Sequence, residues 1–214
     1  MLNSKIDPAT HALDHPLAGE RLATMRDVGT DIPEFRRALH ELSLMVIYES
    51  TRSLPTAEFS VTTPLTDTTG RRIDPAPLIV PVLRAGLGML GAATEMLPRS
   101  PVSFVGLRRD EHTLQPASYV NTVADDLGGN SVIILDPMLA TGGSLIHTAS
   151  MLRDVGAGTI IVACALAAPE GIEAYRAQGF DGPLIAGAID DHLNEQGFIV
   201  PGLGDAGDRQ FGDL

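Results

Sequence analysis

The sequence predicts an α/β protein with a mostly parallel central sheet and helices on both faces. The first observation is that short apolar segments alternate with segments of helical periodicity between residues 77 and 189. The second is that these apolar segments lack polar alternation, which is typical of strands buried on both faces of a sheet. Sheets of this kind bind ligands at the carboxyl ends of their strands. We therefore expect the functional residues to follow the strands directly.

The composition supports one soluble, folded domain covering residues 1–214. A hydrophobic fraction of 44% over this length is enough for a core without metal or disulfide staples, and Cys164 is the only cysteine. A net charge of −12 argues against nucleic-acid and membrane partners, because both need a concentrated basic face. Residues 1–14 show no signal-peptide core, and the longest apolar run, 160–168, is too short to span a bilayer. We expect a cytoplasmic protein.

The first third of the chain predicts an arm, a helix and a pair of strands. Residues 1–20 are predicted to be an N-terminal arm with little structure of its own. A helix begins after Asp31, which can cap it, and runs to about Ser50. Its apolar face carries Phe35, Leu39, Leu42 and Val46. Residues 56–76 predict a β-arm of two strands, with the turn placed at Thr-Thr-Gly, 68–70.

From residue 77 onward, strands and helices alternate. Strands are predicted at 78–83, 102–107, 131–136, 159–167 and 184–189. Helices are predicted at 86–97, 142–155 and 170–178. Pro81 is unusual inside a strand, because proline cannot donate a ladder hydrogen bond. The glycine-rich segment 190–214 is predicted to be mostly loop.

The strongest chemical signal follows the strand predicted at 131–136. This strand ends in Asp136, and Thr141, two glycines and Ser144 open the next helix. Helix N-terminal N–H groups, the helix dipole and close backbone approach at glycine together favour a bound phosphate. No lysine follows the glycines, so this is not a Walker loop. Asp136 is placed to accept hydrogen bonds from sugar hydroxyls, although a capped helix preceded by an acidic turn accounts for the same residues.

Residues 136–144, Asp-Pro-Met-Leu-Ala-Thr-Gly-Gly-Ser, resemble the phosphoribosyl-pyrophosphate loop of type I phosphoribosyltransferases, in the form found in uracil phosphoribosyltransferases. Three more segments match the same branch in the same order: 82–89, 109–114 and 199–208. The resemblance runs from about residue 14 to 212. It implies a type I phosphoribosyltransferase-like fold and an enzyme of pyrimidine salvage. Its reaction would convert uracil and 5-phospho-α-D-ribose 1-diphosphate (PRPP) to UMP and diphosphate.

The resemblance also implies two sets of binding residues. PRPP would be bound by Arg84, Arg109, Asp136, Pro137, Met138, Leu139, Ala140, Thr141, Gly142, Gly143, Ser144 and Asp205. Uracil would be bound by Ile199, Gly204, Asp205 and Ala206. No residue is expected to act as a covalent nucleophile. Mg²⁺ is expected as the cofactor, carried by PRPP and not by protein ligands.

Three of these segments can also be interpreted without the resemblance. Arg84 ends an apolar strand, where a guanidinium is costly unless it is paired or faces a ligand, so a buried salt bridge and a phosphate contact both remain open. Arg109 lies in a polar cluster that is by itself typical of a solvated loop. The glycines of 201–208 indicate an unusual backbone path, and exposed backbone groups there can read the hydrogen-bonding edge of a base.

The chain departs from the family pattern at two positions. Arg108 and Phe198 stand where many members have tyrosine, and Phe198 keeps a stacking surface while losing a hydroxyl. A homo-oligomer is expected from the resemblance, and GTP, which activates some relatives, is a candidate activator.

Two other functions remain to be separated from this one. The first is an RNA-binding regulator of pyrimidine genes that shares the fold, and it needs a basic face that an acidic chain supplies poorly. The second is the same reaction on orotate or a purine. Orotate calls for an extra cation, and Arg209 is the only one near the base segment.

Overall fold

The computed structural model describes residues 9–109 and 116–212. Its helices are α1 (Pro16–Arg26), α2 (Ile32–Ser50), α3 (Leu87–Met96), α4 (Gly143–Asp154), α5 (Pro169–Arg176) and α6 (Ala206–Phe211). Its strands are β1 (Thr10–Ala12), β2 (Thr56–Thr62), β3 (Asp67–Ile73), β4 (Leu78–Leu83), β5 (Val105–Arg109), β6 (Pro116–Asn121), β7 (Val132–Leu135), β8 (Met138–Leu139), β9 (Ile160–Ala167), β10 (Leu184–Ile189), β11 (His192–Leu193) and β12 (Ile199–Val200).

The central sheet has the strand order β1-β10-β9-β7-β4-β5-β6, and β8 pairs with the end of β9. Every pairing is parallel except that of β5 with β6. The carboxyl ends of β4, β7, β9 and β10 therefore meet at one edge of the sheet. The predicted α/β class with a mostly parallel sheet is confirmed.

Two apolar cores lie on opposite faces of this sheet. Helices α1, α2 and α3 cover one face, and α4 and α5 cover the other. Strand β7 shows why its sequence has no polar alternation: Ile133 and Leu135 pack in the first core, while Val132 and Ile134 pack in the second. Among the described residues, no helix is both long and apolar enough to cross a bilayer.

The prediction of an arm with little structure over residues 1–20 is wrong for the part described. Strand β1 pairs in parallel with β10 and forms an edge of the sheet. Helix α1 follows it, capped by His15, whose Nδ1 accepts a hydrogen bond from the N–H of Leu17. Leu22 and Met25 are buried against the core. This helix shows almost no apolar periodicity, because few apolar side chains are needed to dock it.

The β-arm is present, but its turn lies elsewhere. Strands β2 and β3 form an antiparallel hairpin separate from the main sheet. Gly70, placed in the turn by the sequence, pairs inside the ladder with Phe59. The turn spans Thr63–Thr66 instead, where the Thr63 hydroxyl accepts hydrogen bonds from the N–H groups of Leu65 and Thr66. Pro64 and the two hydrogen bonds to the Thr63 hydroxyl favour a turn at Thr63–Thr66. Together they outweigh the turn preference of Thr-Thr-Gly at 68–70.

Other differences concern short or edge elements. The strand predicted at 102–107 begins at Val105, since Val102 makes only a single bridge to Ile79. Strand β6 was not predicted, because an exposed antiparallel edge needs few apolar residues. The described part of the segment 190–214, which ends at residue 212, is more ordered than predicted and contains β11, β12 and α6.

Candidate functional site

Three segments predicted to carry the site meet at the carboxyl edge of the sheet. The loop after β4 reaches α6, because the side-chain Nε2 of Gln210 donates to the Ala85 carbonyl at 3.1 Å. The loop after β7 reaches the β11–β12 turn, where a Cβ built on Gly197 would lie 3.6 Å from Cγ2 of Thr141. The structure therefore brings residues 136–144, which we call the phosphate loop, and the C-terminal segment together at one site.

The first part of the phosphate loop is fixed to β9 by backbone hydrogen bonds. The carbonyl of Pro137 accepts from the N–H groups of Ala165 and Leu166, at 3.0 and 2.9 Å. The carbonyl of Leu139 accepts from Ala168 at 2.8 Å. Pro137 and Leu139 are buried, and these carbonyls face the sheet. Direct PRPP contact by these two residues stays a prediction.

The second part of the loop opens towards solvent. Gly142 has a φ of +85° and precedes the first residue of α4, a backbone conformation that side-chain-bearing residues rarely adopt. Thr141 and Ser144 are exposed on either side of it. Helix N-terminal N–H groups flanked by two hydroxyls form an arrangement suited to a phosphate group.

Helix α5 supports this loop from behind, and a substitution there tests the support. A Cβ added to Gly171 would overlap the carbonyl oxygen of Ala140. We expect Gly171→Ala to displace the loop backbone at a cost of about 1–3 kcal/mol. The expected result is a lower Tm and a KM for PRPP raised about tenfold.

Gly91→Ala is the matched control for this substitution. Gly91 lies in α3, where an added Cβ would meet its nearest neighbour, the imidazole of His40, at an ordinary 3.5 Å. Thermal melts and initial rates with varied PRPP compare the two variants. An unchanged Tm and KM in Gly171→Ala would show that α5 does not position the loop.

Asp136 is a buried carboxyl group with little support from the protein. Its side chain accepts one long hydrogen bond, from the N–H of Met138 at 3.4 Å. Burial raises the pKa of Asp136 to about 7, and the Met138 bond opposes this only weakly. A buried acid with spare acceptor capacity at a strand end is suited to receive hydroxyl donors from a ligand.

The raised pKa of Asp136 predicts a pH dependence of both activity and stability. An ionised carboxylate accepts ribose hydroxyls better than a protonated one, so we expect kcat/KM for PRPP to rise as pH increases through about 7. The folded chain holds this proton more tightly than the unfolded chain, in which the pKa of aspartate is about 3.9. The contribution of Asp136 to the free energy of unfolding therefore decreases as the pH rises from about 4 to 7.

Initial rates and urea unfolding from pH 5.5 to 8.5 check both trends. In Asp136→Asn the side chain cannot ionise. The changes that titration of Asp136 causes in kcat/KM and in the free energy of unfolding should therefore be absent from the pH profiles of this variant. A wild-type pH profile that the substitution leaves unaltered in shape would contradict the assignment.

Arg84 projects from the end of β4 with a largely exposed side chain. Oδ1 of Asp208 lies 4.0 Å from Nη2 of Arg84, and both side chains are about half exposed. A buried salt bridge, one of the two alternatives left open by the sequence, is therefore excluded. Gly86 lets the following loop approach β7, because a Cβ there would overlap the carbonyl of Leu135. The exposed guanidinium of Arg84 can therefore meet an anion at this edge.

Residues 197–212 border the site, and we call this segment the cover. Ile199 and Ala206 are buried, whereas Gly204 and Asp205 are exposed. Oδ1 of Asp205 caps α6 by accepting from the N–H groups of Gly207 and Asp208, at 2.7 and 3.0 Å. Gly204 has a φ of +81°. Phe198 is 48% exposed.

Two supports of this segment were missed by sequence reasoning. Gln210 is buried and donates to the carbonyls of Ala85 and Ala206. Asp190 is also buried, and it binds the guanidinium of Arg26 through both carboxylate oxygens. Asp190 gave one usable signal, because it follows a buried strand as Asp136 does. Arg26 gave none, since its partners are distant in sequence.

The predicted anion contact at Arg109 lies at the edge of the described residues. Its backbone ends β5, while its side chain and residues 110–115 lie outside the described part of the chain. Within the described ranges, no group of three or more His, Cys, Asp or Glu side chains is arranged to hold a metal ion.

A parallel sheet with a phosphate loop, an adjoining arginine and a glycine-rich cover at its carboxyl edge defines a phosphoribosyltransferase of the type I fold. Residues 12–213 match the uracil phosphoribosyltransferase family, and the chain belongs to it. The chain is 48% identical over 200 residues to the uracil phosphoribosyltransferase of Corynebacterium diphtheriae, covering 94% of this chain and 95% of that one. The predicted family and enzyme class are confirmed.

Solved structures agree with this placement. A protein of Aquifex aeolicus superposes with a TM-score of 0.86 at 34% identity, covering 95% of this chain and 98% of the other. An adenine phosphoribosyltransferase of Trypanosoma brucei superposes with a TM-score of 0.59 at 14% identity, covering 94% and 90%. The second likeness concerns the fold alone.

Proposed function

We propose that this chain transfers the phosphoribosyl group of PRPP to N1 of uracil, giving UMP and diphosphate in pyrimidine salvage. One observation carries the proposal beyond family membership. The phosphate loop, Arg84 and the glycine-rich cover converge on one edge, through the Gln210–Ala85 bond and the Thr141–Gly197 approach. A substrate with a phosphate at one end, a diphosphate at the other and a flat base above fits this arrangement.

The proposed PRPP subsite divides by chemistry. Residues 140–144 hold the 5′-phosphate at the start of α4, where N–H groups and hydroxyls are exposed. Asp136 accepts the ribose hydroxyls. Arg84 neutralises the diphosphate with its planar guanidinium, which matches phosphate oxygens in pairs, and Arg109 is proposed as the second cation. Asp205 borders this subsite from the cover.

The proposed uracil subsite uses backbone groups of the cover. Gly204, Asp205 and Ala206 present N–H and C=O groups to the base edge, and Ile199 packs beside them. Uracil shows a carbonyl, an N–H and a carbonyl along this edge, whereas cytosine reverses part of the pattern. A site that pairs with such an edge rejects a mismatched analogue by roughly 10⁴-fold.

The proposed mechanism is positioning combined with charge stabilisation. The C1–O bond to diphosphate breaks as uracil N1 approaches, and the ribosyl ring gains oxocarbenium character. As the N1–C1 bond forms, the N1 proton passes to the departing diphosphate or to solvent. Arg84 and Arg109 stabilise the charge that develops on the leaving diphosphate. Mg²⁺ belongs to the substrate in this scheme, because diphosphate oxygens are the hard ligands it prefers.

The test is UMP formation from PRPP, Mg²⁺ and a base, with uracil, cytosine, orotate and hypoxanthine run in parallel. Turnover of uracil alone supports the proposal. Turnover of another base overturns the base assignment, and tight UMP binding without any turnover favours a regulator. A homo-oligomer and activation by GTP are proposed from the family, and light scattering and rates with added GTP test them.

A further inference from the structure

We infer that Arg26 and Asp190 are positioning residues for the base subsite. This inference rests on the proposed function. The two side chains form an ion pair behind the cover, and together they grip both backbone polar groups of Gly202. These contacts fix the position of the exposed backbone of Gly204, which we propose binds the base.

The contacts form a closed ring of hydrogen bonds. Nη2 of Arg26 lies 2.5 Å from Oδ1 of Asp190, and Nη1 lies 2.7 Å from Oδ2. The same Nη1 donates to the carbonyl of Gly202 at 2.9 Å. Oδ2 of Asp190 accepts from the N–H of Gly202 at 2.8 Å. Both peptide groups that flank this glycine are therefore held by one ion pair.

The ion pair is itself tied to rigid parts of the fold. Asp190 directly follows β10, its N–H donates to the carbonyl of Ala167 at the end of β9, and its side chain is only 5% exposed. Arg26 is the last residue of α1 and is 26% exposed. The carboxylate of Asp190 raises the pKa of Arg26 further above its ordinary value. The guanidinium of Arg26 therefore stays charged at any physiological pH.

These contacts act on the part of the cover that leads to Gly204, where the carbonyl of Leu203 is also held, by Nη1 of Arg209 at 3.0 Å. Among the described residues, a Cβ on Gly204 would meet no atom within 4 Å. Gly202 turns tightly against the preceding strand, because a Cβ there would overlap the carbonyl of Ile199. The path from Ile199 to Gly204 is thus constrained at Gly202, two residues before the exposed backbone.

Stability alone does not explain why an ion pair occupies this position. Replacing a buried pair by apolar residues of similar volume is often neutral or stabilising. What apolar residues cannot do is direct the N–H and C=O of Gly202 at once. A positioning role therefore predicts a specific kinetic signature: the KM for uracil changes, while kcat and the KM for PRPP do not.

Two variants separate positioning from simple packing. Arg26→Lys keeps the charge but cannot span both carboxylate oxygens and the Gly202 carbonyl. The double variant Arg26→Met with Asp190→Leu removes both charges and restores an apolar filling. For both variants we expect a KM for uracil raised tenfold or more, near-normal kcat and KM for PRPP, and weaker discrimination against cytosine. The double variant should still fold, with a lower Tm, because the buried N–H and C=O of Gly202 lose their partners.

Arg21→Lys is the matched control, since Arg21 lies on the same helix and pairs with Glu41 away from the cover. It should leave the KM for uracil unaltered. A double variant with a normal KM for uracil overturns the inference, and so does an equal change in the KM for PRPP. Wild-type enzyme without uracil turnover would instead overturn the proposed function, so the two failures are distinguishable.

Discussion

Asp136→Asn should lower kcat/KM for PRPP by about 10²-fold or more while leaving the fold intact. The amide has nearly the shape of the carboxylate, but it carries no charge and presents one fewer acceptor oxygen to the ribose hydroxyls. Hydrogen bonds to a charged group contribute about 1.5–3 kcal/mol each. Two such bonds weakened in a buried site account for a loss of this size.

The stability of this variant should move in the opposite direction to its activity. The wild-type carboxylate is destabilised by burial above pH 7, as its raised pKa shows, and asparagine avoids that penalty. A urea melt at pH 8 should therefore show equal or higher stability. Asp154→Asn, at the end of α4 and away from the site, serves as control. Wild-type kinetics in Asp136→Asn would exclude a role in substrate binding.

Arg84→Met should lower kcat/KM by about 10²-fold, with most of the loss in kcat. Methionine keeps part of the side-chain volume and removes the charge that we propose faces the leaving diphosphate. Removing one group that stabilises developing charge typically costs about 10²–10³-fold in kcat. Because the side chain is 53% exposed and its ion pair with Asp208 is long, at 4.0 Å, we expect little change in Tm.

A second substitution at the same position tests the geometry of the contact. Arg84→Lys should recover part of the loss, because it restores the charge without the planar fork. Arg37→Met, on the exposed face of α2, removes a comparable surface charge and should have no kinetic effect. Full activity in Arg84→Met would place the diphosphate elsewhere.

The sheet and the phosphate loop could be predicted from the sequence because their signals are local. Strands buried on both faces are continuously apolar, as β7 and β9 are, and short runs of this kind between turn residues are typical of a parallel sheet. The phosphate loop combines Asp136, Gly142 and Gly143 within a few positions. Asp136 supplies a buried carboxyl group and Gly142 a positive φ, and both properties belong to the residue itself, so the motif can be recognised without tertiary information.

The rest could not be predicted because it depends on contacts between distant residues. Helix α1 is stabilised by docking, and its own sequence has almost no apolar stripe. Arg26 and Asp190 are 164 positions apart, and nothing near Arg26 indicates its partner. The β2–β3 turn could not be placed for a different reason. The sequence has turn residues both at 63–66 and at 68–70, and the turn forms at 63–66, where the Thr63 hydroxyl accepts a hydrogen bond from the N–H of Thr66.

The cover belongs to the part of the chain synthesised after every strand of the main sheet. On the ribosome, the sheet and its phosphate loop can assemble first, and Arg26 must then wait for Asp190 and Gly202 to emerge. A chain released after β10 would keep the phosphate loop and lose every residue proposed to bind the base. In this proposal, recognition of the base is the last property that a growing chain acquires.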